Sequence, residues 1–118
     1  MDLHEKIGQQ RIKYIVDSYC LAGEEQISFF AYLDGLMQTY PLPLIELSLA
    51  ETIVENWLSA PFHRGVDFLN QAHARLKYWE VQPITSSITS TQFSTITGLD
   101  PSPVFGAEQA SSYSIRSS

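Results

Sequence analysis

The sequence contains one cysteine, Cys20. A lone thiol makes no internal disulfide and cannot supply the ligand set of a structural zinc site, so a reducing compartment is expected. Basic residues are also scarce, with seven Lys and Arg against thirteen Asp and Glu, a formal charge of −6 and a pI near 4.8. Direct nucleic-acid binding needs a basic stripe that neutralises several phosphates, and this composition disfavours it. No apolar run approaches the roughly 20 residues of a membrane span. The start, Met1-Asp2-Leu3-His4-Glu5-Lys6, has no apolar core of the signal-peptide kind, and a cytoplasmic location is expected.

Chemical motifs are lacking too. None of the six glycines stands in a G-x-G-x-x-G or P-loop context, so no nucleotide is expected. His4, His63 and His73 lie in separate regions with no Glu-x-x-His or His-x-x-x-His spacing, so neither metal nor cofactor is expected. No nucleophile-elbow sequence occurs. Cys20 falls on the core stripe of the first helix, where a thiol fills space.

What the chain has is enough apolar residue for a core, 44% of 118 positions, distributed unevenly. Ser and Thr make up six of the first 83 residues and fifteen of the last 35. Short polar side chains bury little apolar surface against the entropy of ordering, so the break near Pro83 divides the chain. Residues 1–83 are expected to form a helical bundle and 84–106 an extension with a short helix and an apolar, proline-containing segment. Residues 107–118 are expected to be a disordered tail.

Helical periodicity carries the fold class. Asp2 and Glu5 have capping-box spacing before a helix to about Leu21, stopped by Gly23, with Ile12, Ile15, Val16, Tyr19 and Cys20 on its core face. A second helix, from about Glu24 to Tyr40, gathers Phe29, Phe30, Leu33, Leu36, Met37 and Tyr40 on one side and ends at Pro41. The third, about Pro43 to Ser59, is the most apolar and should be central. Its apolar face holds Leu47, Leu49, Ala50, Ile53, Val54, Trp57 and Leu58, and Ser48, Glu51, Thr52, Glu55 and Ser59 form a wet face. The fourth, about Pro61 to Glu80, follows a short Ser59-Ala60 link and pairs antiparallel with the third. Thr89-Ser90-Thr91-Gln92 opens a two-turn fifth helix that Gly98 closes. The expected architecture is all-α: a compact bundle of four main helices, a short fifth, and a Ser/Thr/Pro-rich C-terminal extension.

Two apolar features and one polar pair are candidates for function. Leu3, Ile7, Tyr14 and Leu21 project nearly opposite the core face of helix one, and either the extension or a second copy covers them. Phe93, Ile96, Leu99, Val104 and Phe105 dock on the chain's own bundle or order on a partner. Glu46 projects onto the apolar face of helix three, level in the expected hairpin with His73 to Leu76; a Glu46–His73 pair would tune each other's pKa and could serve a simple enzyme or small-molecule site.

Three strings, Pro43-Leu44-Ile45-Glu46-Leu47, Ala50-Glu51-Thr52-Ile53-Val54 and Ile96-Thr97-Gly98-Leu99-Asp100-Pro101-Ser102-Pro103, resemble parts of small uncharacterised cyanobacterial helical proteins. The resemblance implies a photosynthetic bacterial cytosol and carries no functional residue across. The residues themselves favour a non-catalytic interaction module, an adaptor, regulator or assembly factor that forms a homodimer and binds another protein. The alternative is the Glu46–His73 site.

Overall fold

The structure is a computed structural model that describes residues 3–57, 63–84 and 88–105. The Asp2 cap, Leu58, the Ser59-Ala60 link, Pro61, Phe62 and the tail 107–118 lie outside the described residues. The fold is all-α, with no strand among the described residues. Four main helices, α1 (Leu3–Ser18), α2 (Gln26–Thr39), α3 (Leu42–Trp57) and α4 (Val66–Val81), are followed by two short ones, α5 (Ser90–Thr97) and α6 (Ser102–Phe105).

α3 is the hub, packing against each of the other five helices. Its pairing with α4 is antiparallel: Arg75 meets Glu51 and Gln71 meets Asn56, so residue numbers rise along one helix as they fall along the other. Being enclosed, α3 has no wet face of the kind its pattern suggests. Ser48, Glu51, Thr52 and Asn56 are buried, and among the described residues of the expected polar face only Glu55 is exposed, Ser59 lying outside them. Two devices satisfy the buried polar groups. Ser48 and Thr52 hydroxyls donate back to the Ile45 and Ser48 carbonyls, at 2.8 and 2.7 Å. Arg75 and Gln71 of α4 bind Glu51, Thr52 and Asn56, making a polar seam inside the α3–α4 contact.

α1 stops earlier than the glycine pattern suggests. Cys20 adopts φ +52°, and the Cys20 and Leu21 N–H groups donate to the Asp17 and Val16 carbonyls at 3.3 and 3.0 Å, a Schellman cap. In that motif the residue after the left-handed one folds its apolar side chain back beside the last turn, and Leu21 and Val16 are both buried. Cys20, expected to fill space in the core, is instead exposed at the turn.

Helix four begins at Val66, later than the expected start near Pro61. The His63 N–H is taken by Asn56 Oδ1 at 3.0 Å, not by a helical carbonyl, and Gly65 sits at φ +71°. The Val66 N–H is capped by Glu25 Oε1 at 3.1 Å, so a side chain preceding α2 caps α4. Trp57, expected on the core face, is 53% exposed, its ring 5.8 Å from that of Tyr19.

The fifth helix forms where its capping box places it. Thr89 Oγ1 accepts from the Gln92 N–H at 3.1 Å, the Thr89 N–H donates to Gln92 Oε1 at 2.9 Å, and Gly98 ends the helix at φ +73°. Ile88 and Phe93 belong to the same buried cluster as the bundle.

Candidate functional site

The densest polar constellation links α1, α3 and the extension. Arg11 lies at the edge of the core face of α1, and Glu46 in the first half of α3 points at it. Arg11 Nε lies 3.1 and 3.0 Å from the two carboxylate oxygens, and Nη2 lies 2.8 Å from Oε1. Nη2 also donates to the Asp100 carbonyl at 2.7 Å. Glu46 is 1% exposed and the Arg11 side chain 13%. Burial pushes the Glu46 carboxyl above its ordinary range, and the hydrogen bonds and charge of Arg11 pull it back. α1 and α3 meet closely here: a Cβ on Gly8 would lie 2.6 Å from Leu42 Cδ1. Beside the pair runs an open groove of about 300 Å³, lined in part by Ile7, Leu42, Pro43 and Pro103.

The structure does not join Glu46 to His73. The α3–α4 register, fixed by Glu51–Arg75 and Asn56–Gln71, sets Glu46 near the last turn of α4, past His73, and Glu46 faces α1. His73 belongs to an α2–α4 cluster. Its Nδ1 lies 2.9 Å from the Tyr32 hydroxyl, which donates to Asn70 Oδ1 at 3.0 Å. A hydroxyl has one proton, so while Tyr32 donates to Asn70 its oxygen can only accept from His73 Nδ1–H. Burial, then the nearby Lys77 charge, lower the His73 pKa, with Glu80 opposing. Tyr40 sits edge-on to the His73 ring and donates to Glu80; that bond, with burial and the Glu80 charge, pushes the phenol up to about 12.

The apolar candidates divide. Leu3, Ile7 and Tyr14 are 68%, 44% and 52% exposed on one face of α1, whereas Leu21 is fully buried. Leu21 leaves the stripe because α1 ends before reaching it. In the extension, Phe93 is fully buried, and Ile96, Leu99, Val104 and Phe105 are partly buried against the core. Of the two roles open to the extension, docking on its own bundle is the one the structure displays, and Phe93 presents no surface to a partner.

Sequence reasoning missed Arg11 and Tyr19, which hold the extension. Tyr19 Oη donates to the Ile96 carbonyl at 2.6 Å. Arg11 could have been found as the charge next to Ile12 and Ile15 of the core stripe of the first helix. No group of three or more His, Cys, Asp or Glu able to hold a metal ion occurs among the described residues. No described helix is long and apolar enough to cross a membrane. No family model matches the chain, and neither a curated protein nor a solved structure matches it.

Proposed function

We propose that the protein is a non-catalytic interaction module, an adaptor, regulator or assembly factor, whose docking face is the outer stripe of α1 and whose first partner is a second copy of itself. The observation that carries this reading is the exposure of Leu3, Ile7 and Tyr14 on one side of a helix whose other apolar residues are sealed in the core. The stripe is self-complementary. An antiparallel contact centred near Gln10 sets Ile7 of each copy across from Tyr14 of the other and brings Lys6 near Asp17, so opposite charges flank an apolar centre. The engagement of Glu46 by Arg11 and of His73 by Tyr32, in separate parts of the fold, supports a role without catalysis.

Light scattering across a concentration series tests the reading. The native protein should show a dimer mass, and Ile7→Glu and Tyr14→Arg should each shift it to monomer with helical circular dichroism unchanged. A native protein that is monomeric at every concentration, or variants that remain dimeric, would overturn it.

A further inference from the structure

The segment that covers the α1–α3 side of the bundle is built like a ligand. It supplies much of its own backbone satisfaction: the Thr89–Gln92 box at its start, the Thr97 hydroxyl to the Phe93 carbonyl at 2.8 Å, and Asp100 Oδ1 accepting from the Ser102 N–H at 3.0 Å. Phe93 and Phe105 meet edge to face at 5.8 Å, and Pro101 and Pro103 restrict the chain between them. A segment organised in this way loses little freedom on docking.

The bundle holds this segment through its main chain and shape. Arg11 of α1 and Tyr19, just past its end, reach the segment through hydrogen bonds that end on backbone carbonyls, Tyr19 on Ile96 and Arg11 on Asp100. Tyr14 lies against Gly98, whose added Cβ would come 3.6 Å from the tyrosine oxygen. One side chain, Phe93, is sealed completely, Ile96 follows one helical turn later, and Leu99, past the Gly98 cap, is partly buried against the core. Glu46 fixes the Arg11 fork, so the donor is already aimed at the carbonyl it receives.

We propose that the α1–α3 face is a peptide-binding groove, occupied by residues 88–105 of the same chain and able to take in their place a segment of the same chemistry from another protein: a short apolar helix with an aromatic anchor, a glycine cap and a proline-restricted continuation. The groove borders the α1 stripe, since Tyr14 lies against Gly98, but its occupant is bound in the same chain and its filling does not depend on self-association.

The test replaces residues 85–87 of the full chain with a protease site and is run at a protein concentration where light scattering gives a monomer mass. The folded protein is cut and mixed with excess fluorescent peptide of sequence 88–105. The cut fragment should stay with the bundle on size exclusion, and the labelled peptide should replace it, raising its anisotropy. A peptide carrying Phe93→Asp should bind more than about tenfold more weakly. Loss of helical signal on cutting, a fragment that excess peptide never displaces, or a folded bundle that fails to take up the peptide would each overturn the proposal. Equal binding of the Phe93→Asp peptide would do the same.

Discussion

Arg11 grips both oxygens of the Glu46 carboxylate, joining residues 35 positions apart in sequence. The carboxylate is almost wholly buried, so Arg11 offsets a desolvation cost that Glu46 could not bear alone. Arg11→Ala should therefore destabilise the protein by about 3–5 kcal/mol in urea unfolding, the cost of orphaning a buried charge. The double variant Arg11→Met, Glu46→Leu should recover most of that loss, since water can take the place of Arg11 at the exposed Asp100 carbonyl. A double variant no more stable than Arg11→Ala would show that the pair's value lies in the bonds themselves and not in avoided desolvation.

Phe93 tests how firmly the extension is part of the core. Its ring is fully buried, so Phe93→Ala should cost about 3–5 kcal/mol by calorimetry or denaturant titration. Ile27 is 91% exposed, and Ile27→Ala should stay within about 0.5 kcal/mol of the native protein. A small effect at Phe93 would mean that the extension contributes little to the fold.

Gly65 combines a backbone geometry that side chains avoid, φ +71° and ψ −145°, with a close approach to the Glu25 carboxylate. Gly65→Ala should cost about 1–3 kcal/mol for the backbone and about 1 more for the displaced cap on α4. Glu25→Gln keeps an acceptor for the Val66 N–H and should be nearly neutral. Thermal midpoints of the two variants give the comparison.

His73 gives a pH prediction of definite sign. Its folded-state pKa is lowered, so the unfolded chain takes up the proton more readily, and stability falls as pH drops below the ordinary histidine value of about 6.5. The groups around it are Tyr32, Tyr40, Asn70, Lys77 and Glu80. Urea midpoints at about pH 7.5 and about pH 5.5 should differ less in His73→Gln than in the native protein. Glu46, whose raised pKa works in the opposite direction, contributes equally to both proteins and cancels. An identical pH dependence would remove His73 from the account.

The fold was legible where a local rule controlled it. The Thr89–Gln92 box and Gly98 mark the fifth helix within one residue, because capping is decided by neighbouring groups. The centrality of α3 follows from its apolar breadth. The polar side of α3 misled because period-3.6 patterning cannot separate polar groups facing water from polar groups facing Arg75 and Gln71. Leu21 was placed on the wrong surface for a related reason: one left-handed residue, Cys20, ends the projection that put Leu21 beside Tyr14. The Glu46–His73 pairing failed on rotation and register. Glu46 did conflict with its apolar surroundings, but its partner stood on α1, at a separation that no sequence rule supplies.

The bonds of Arg11 impose an order of assembly. Glu46 is 35 positions downstream and the Asp100 carbonyl 89. A chain growing from its N-terminus on the ribosome therefore makes α1 long before the last acceptor for its guanidinium exists. Until Phe93 follows, the side of α3 that will receive it stays open to other apolar surfaces. The interval before that side closes is the one in which a nascent copy is most exposed to its neighbours.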